Sequence, residues 1–274
     1  MHDILAHASN YTTPTQGMRY AAGIAKAFGG SLTGIFVAEP IIPPPSIGAP
    51  AAISAIYEVA AQVVEEAIRA EPAFARWACG AGLSHYRWQV ATGFLAQAFA
   101  AAANWHDVLV LESGQDAPWT SVGLLGHALV TCGIPAFVVP ATYTNAASMD
   151  SIAIASNDSL ETVRAVHAAL PLLKRARRVV LLQGRRKDSF SSIEWKPAFS
   201  IEDHLARHGV HFSTRVLEAS DDDAGAAILD AAADAGSDLL VMGAYGRSRL
   251  SEWVLGGATR HVLEHAALPL FLRH

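Results

Sequence analysis

Short apolar runs alternate with segments of helical period along the chain, and the alternation occurs twice. Ile4-Leu5-Ala6 runs into the small polar residues His7-Ala8-Ser9, and 148 residues later Ile152-Ala153-Ile154-Ala155 runs into Ser156-Asn157. Each opening is followed by a stretch with apolar positions at helical spacing, 20–28 and 162–173. A second apolar run comes next, Leu32-Thr33-Gly34-Ile35-Phe36-Val37 and Val179-Val180-Leu181-Leu182. These periods predict strand, helix, strand in each half. Further on, helical patterns at 94–105 and 224–235 lead into Asp107-Val108-Leu109-Val110-Leu111 and Asp238-Leu239-Leu240-Val241-Met242, 131 residues apart. Both halves close on a proline and an apolar run, Pro135-Ala136-Phe137-Val138-Val139 and Pro269-Leu270-Phe271-Leu272.

A repeat of this kind sets the architecture before any motif is considered. Continuous apolar strands alternating with helices predict an α/β, Rossmann-like fold: two tandem copies of a five-stranded, mostly parallel sheet with helices on both faces. The copies span 1–141 and 151–274. A linker is predicted at 142–150, where Thr, Asn, Ser and Ala replace the apolar pattern. The first copy has 17 more residues before its fourth strand, which fits the proline-rich run Pro40 to Pro45 and a long helix over 53–76. That helix carries Ile56, Val59, Ala60, Val63 and Val64 at helical spacing and is expected to pack on the sheet.

Composition narrows the function classes. A length of 274 residues suits two ordinary domains, and 51% hydrophobic against 16% charged residues is the balance of a core former. The net charge of -5 argues against nucleic acid as a partner, and the basic clusters 174–178 and 185–187 read as solvated edges. Cys79 and Cys132 form neither a disulfide framework nor a metal-ligand spacing, so a reducing, cytoplasmic setting is expected. No run approaches the roughly 18 apolar residues of a membrane span, and no export signal is seen at the start.

The chemistry-bearing segment is 242–259. After the strand ending at Met242 come Gly243, Gly246 and Gly256 in a Gly-x2-Gly-x9-Gly spacing, then Gly257-Ala258-Thr259 at the start of a helical pattern. Glycines let a backbone approach a ligand closely. Exposed amides in such a turn and at a helix start form a cradle for an anion, phosphate being its natural occupant. On glycine count alone, a plain loop before a capped helix is an equal reading.

This spacing after a fourth strand resembles the universal stress protein family. The segments 240–250 and 255–261, with Ala169-Leu170-Pro171-Leu172-Leu173, are similar to its bacterial tandem-domain members. The resemblance implies ATP or AMP as ligand, with or without Mg. Gly243, Gly246 and Gly256 would line ribose and phosphates through backbone amides, within a loop that also includes Met242 and Ala258. It implies an adenosine contact near the end of the first strand, where the family's usual Asp is Asn157. At Gly257 the family usually has a Ser or Thr hydroxyl, whose loss would cost on the order of 1 kcal/mol. Thr259 is a candidate to replace it and Arg247 to neutralise phosphate charge. The resemblance also implies that the last strands, Phe137-Val138-Val139 and Leu270-Phe271-Leu272, pair as an internal pseudo-dimer, with a homodimer of whole chains left open. The first copy has Glu112 and Asp116 in its corresponding loop and Ser9 ending its first strand, and it is expected to be empty.

Other constellations read as structural. His261-Val262-Leu263-Glu264-His265 matches an H-x-x-E-H pattern without a third ligand, and His204, His208 and His211 are read as incidental imidazoles. Phe190, Trp195 and Phe199 in 184–200 suit a lid, a partner surface or simple packing. Asp221, Asp222 and Asp223 supply favourable charge before a helix. No Walker lysine, Ser-His-Asp order or paired carboxylate falls on the pocket, so no catalytic residue and no metal site are expected. The sequence thus points to a non-catalytic, adenine-nucleotide-binding stress-response protein acting through conformation or partner choice. A nucleotide-free scaffold is the alternative, and a slow ATPase ranks last.

Overall fold

The computed structural model describes residues 1–43, 50–114, 121–184, 198–220, 222–244 and 257–274. The first half runs β1 (Asp3–His7), α1 (Gln16–Phe28), β2 (Ser31–Ala38), α2 (Pro50–Arg69), α3 (Glu71–Gly80), β3 (Tyr86–Thr92), α4 (Leu95–Ala103), β4 (Val108–Ser113), α5 (Val122–Cys132), β5 (Ala136–Pro140). The second runs β6 (Ser151–Ser156), α6 (Leu160–Leu173), β7 (Arg178–Gln183), α7 (Ile201–Arg207), β8 (Ser213–Val216), α8 (Ala224–Asp234), β9 (Leu239–Gly243), α9 (Gly257–His265), β10 (Leu270–Arg273).

All ten strands belong to one sheet, ordered β3-β2-β1-β4-β5-β10-β9-β6-β7-β8. Every pairing within a half is parallel, and the halves meet through an antiparallel β5–β10 pair in which Phe271 lies opposite Phe137. Those two rings are fully buried and meet edge to face, with centroids 5.0 Å apart. In each half the strand order reverses beside the first strand, between β1 and β4 and again between β6 and β9. Loops diverging there open a crevice outside the carboxyl ends of the strands.

The helices cover both faces, with apolar clusters that run unbroken across the two halves. Residues of α1, α3, α6 and α7 pack with Ile4, Val110, Ile154 and Val241 on one face. Residues of α4, α5, α8 and α9 pack with Leu5, Leu111, Ala155 and Met242 on the other. The halves also share a device at their first strands. Asp107 accepts from the amides of His2 and Asp3, and Asp238, 131 residues on, accepts from those of Asp150 and Ser151.

One expectation changes. The helix predicted over 53–76 is two helices that break at Ala70, because Pro72 has no N–H to continue a helix and sits where it costs nothing, in the first turn of α3. The stripe on α2 is only partly covered: Val59 is exposed and Ala67 alone is buried, its carbonyl accepting from the Trp88 indole at 2.8 Å. The segment 142–150 is docked onto the first half. Tyr143 is buried edge-on to Tyr20, and a side chain at Gly23 would come within 2.7 Å of the Ala147 Cβ. The strands β3 and β8, at the sheet's two edges, carry polar residues that hide them from an apolar-run search.

Candidate functional site

At the β6 end of the second crevice, Ser156-Asn157-Asp158-Ser159 turns the chain into α6. Ser159 caps the helix, its hydroxyl accepting from the Thr162 amide at 3.3 Å. The Asn157 side-chain oxygen accepts from the Ser159 amide and from the Thr162 hydroxyl, each at 3.2 Å. Among the described residues the NH2 end of Asn157 makes no hydrogen bond, its oxygen being taken up by this Asx turn. Asp158 has φ 57, the left-handed conformation that Asp tolerates better than most residues, and its amide donates to the Ser156 hydroxyl oxygen at 3.2 Å. Sequence reasoning passed over Asp158 in favour of Asn157. Its signal was a carboxylate one residue beyond the position where one was sought.

From the other side of the crevice comes the end of β9. A side chain at Gly243 would lie 2.4 Å from the Thr162 amide nitrogen and 2.6 Å from the Glu161 carbonyl carbon. The glycine is therefore demanded by the close approach of β9 to the first turn of α6, whatever its amide does for a ligand. The first half solves the same packing in reverse. There the helix supplies the glycine, Gly17, and the strand supplies the side chain, Glu112, whose carboxylate accepts from the Gly17 amide at 2.6 Å. In the second half the strand supplies Gly243 and the helix supplies Glu161.

Met242, one residue earlier, is buried among apolar side chains beneath α8 and α9, so only its backbone can face the crevice. Gly257 opens α9, and a Cβ added there meets nothing within 4 Å. Ala258 and Thr259 follow, half-buried, in the first turn, whose amides lack intrahelical partners. Gly246, Arg247 and Gly256 lie outside the described residues, as do Asp116, Asp221, Phe190 and Trp195. The structure thus brings Asn157 and Gly243 together at the start of α6, and places Gly257, Ala258 and Thr259 at the start of α9 on the opposite face.

In the first half the loop after β1 is packed against α2, β2 and α3. Asn10 folds its loop back on itself, accepting from the amides of Thr12 and Thr13 at 3.1 and 2.9 Å. Tyr11 packs edge-on to Phe36 and donates its hydroxyl to Glu66 of α2 at 2.8 Å. That bond holds the Glu66 carboxyl below its ordinary range and pushes the Tyr11 phenol up. What remains between this loop, Phe74 and Trp88 is a cleft of about 40 Å³. Pockets for small ligands run to roughly 300–1,000 Å³.

The histidine pairs find structural partners. A side chain at Gly225 would meet the His261 Cβ at 2.6 Å, so His261 sits in a tight α8–α9 contact. Its ring stacks on His265, and Glu264 pairs with Arg260 at 2.8 Å. His204 stacks on His167 of α6 and meets the tilted ring of His208, with centroids 4.0 and 4.5 Å away. Burial, reinforced by these neighbouring imidazoles and Arg207, lowers the His204 pKa to about 4. Among the described residues no group of three or more His, Cys, Asp or Glu side chains is arranged to hold a metal ion. No described helix is long and apolar enough to cross a membrane. Asp223 makes no side-chain bond to the amides of α8; its carboxylate accepts from the Ser220 hydroxyl instead.

Comparison with known proteins agrees with this architecture. Residues 149–272 match the model of the universal stress protein family. A universal stress protein from Archaeoglobus fulgidus DSM 4304 superposes with a TM-score of 0.64 at 15% identity, over 99% of this chain and 96% of its own. A functionally unknown protein from Pseudomonas aeruginosa PAO1 gives a TM-score of 0.55, also at 15% identity, over 98% and 91%. No curated protein matches the sequence. At these identities the structural likeness speaks for the fold, which both halves share.

Proposed function

We propose, for a chain whose residues 149–272 form a universal stress protein domain and whose first half repeats that fold, that the second half alone binds an adenine nucleotide, ATP or AMP. The observation that carries this reading is the exchange of Gly243 for Glu112 at equivalent positions. In the first half the Glu112 carboxylate sits at the strand end, and the loop after β1 is tied to α2 through Tyr11 and leaves only a small cleft beside α3. In the second half the strand ends on Gly243, and the carboxylate, Glu161, stands on the helix instead.

The residues present fit such a ligand. The NH2 of Asn157 can donate to a base or ribose acceptor, and Asp158 beside it offers a carboxylate at the same strand end. The first-turn amides of α9 and the Thr259 hydroxyl suit a phosphate. No base or nucleophile is assigned. The nucleotide is bound and oriented, and its occupancy is read through conformation or a partner.

Calorimetric titration of ATP and AMP, with and without Mg, into the wild type and Asn157→Ala tests the proposal. Saturable binding weakened in the variant supports it. Absence of binding at millimolar ATP would instead support a nucleotide-free scaffold.

A further inference from the structure

A second, chemically different recess lies where the two halves join. It has a volume of about 740 Å³ and lies at the carboxyl end of β10, lined by Gly133 from the turn before β5, Val163, Arg164, His167 and Ala168 of α6, and Arg273 and His274. Residues 163, 164 and 167 share one side of α6, since positions three and four apart are neighbours on a helix. Arg273 is held in place by donating to the Gly133 carbonyl of the other half. Gly133 presents that carbonyl from a left-handed conformation, φ 65, at the end of α5.

Two guanidinium groups give this wall its charge. None of its lining side chains is a carboxylate, and neither Arg164 nor Arg273 forms an ion pair among the described residues. Both guanidinium side chains are half-buried. Burial and the nearby charge of Arg164 push the Arg273 guanidinium below its ordinary range, so the two cations interact across the recess. Like charges held together in partial shelter destabilise the wall until an anion joins them, and the planar guanidinium is suited to phosphate oxygens.

We propose that this recess is a binding site for a small phosphate-bearing anion, held by Arg164 and Arg273 of the second half beside its seam with the first. It is separate from the nucleotide reading above. The recess lies beside residues 163–168 of α6, whereas α9, whose first turn is read as holding the phosphates, packs on the opposite face of the sheet. Arg273 is nonetheless the register partner of Gly243, so the test must tell the two sites apart.

Pyrophosphate is the probe, titrated into the full chain by calorimetry and by thermal unfolding, against sodium chloride at matched ionic strength. The wild type should bind saturably and unfold at a higher temperature. Arg164→Gln, which breaks no hydrogen bond of the fold, should weaken binding at least tenfold, and Asn157→Ala should leave it within twofold. Arg273→Lys keeps the charge but loses the planar fork, and should lie between wild type and Arg164→Gln. Absence of a shift beyond that of chloride would overturn the proposal. So would undiminished binding in Arg164→Gln, or binding lost in Asn157→Ala but kept in Arg164→Gln.

Discussion

The Gly17 amide donates to the Glu112 carboxylate at 2.6 Å, closing the end of β4 against the start of α1. In the other half Gly243 ends the strand and Glu161 stands on the helix. Each junction has room for one side chain, and the halves draw it from opposite partners. The first carries its own anion at the helix start. In the second the carboxylate stands on the helix and the strand ends on glycine, and the proposed difference between the halves in ligand binding rests on that exchange.

Gly243→Ala should destabilise the second half, since the new methyl group would meet backbone at 2.4 Å and the helix must move away. Overpacking of this kind costs about 1–3 kcal/mol. Glu112→Ala leaves the Gly17 amide without its acceptor and should cost about 1 kcal/mol, as loss of a helix-start acceptor does. Urea unfolding of the two variants measures both.

Gly257→Ser should tighten ATP binding. Among the described residues nothing lies within 4 Å of a Cβ added there, and a hydroxyl would face the phosphates of the proposed nucleotide. A gain of about 1 kcal/mol corresponds to roughly fivefold in affinity. Calorimetry on the variant checks it, and unchanged affinity would move the phosphates away from the start of α9.

Several features could be read from the sequence because they are local or periodic: the doubled strand-helix pattern, the two strands at the seam, and the glycine spacing after Met242. The edge strands escaped because Tyr86, Arg87, Gln89, Ser213, Thr214 and Arg215 give a half-exposed strand no apolar run. The helix break at Ala70 was legible in Pro72 and was overridden by the apolar stripe before it. The exchange between Gly17–Glu112 and Glu161–Gly243 was not legible. The meaning of Glu112 depends on a glycine 95 residues away, and no local pattern records that contact. The docking of 142–150 was hidden in the same way, by partners on α1.

Acid should weaken the fold through His7. Burial beside Phe99 lowers its pKa from 6.5 to about 4. The unfolded chain then binds the proton more readily than the folded one, so this contribution is complete above pH 6.5 and is lost as pH falls toward 4. A shift of that size corresponds to roughly 3 kcal/mol. Stability measured by urea unfolding should fall over this interval in the wild type and fall less in His7→Leu.

Phe271→Ala should loosen the seam. Removing a fully buried ring from the centre of one continuous sheet costs about 3–5 kcal/mol. Hydrogen exchange should rise in β5 as well as in β10, because Phe137 loses its edge-to-face partner.

The central claim, one nucleotide site in a chain that carries the fold twice, is tested most directly by the stoichiometry of ATP binding in calorimetry. The account predicts a single site per chain, weakened by Asn157→Ala and indifferent to Glu112→Gln. Two sites per chain, or no saturable binding at millimolar ATP, would contradict it.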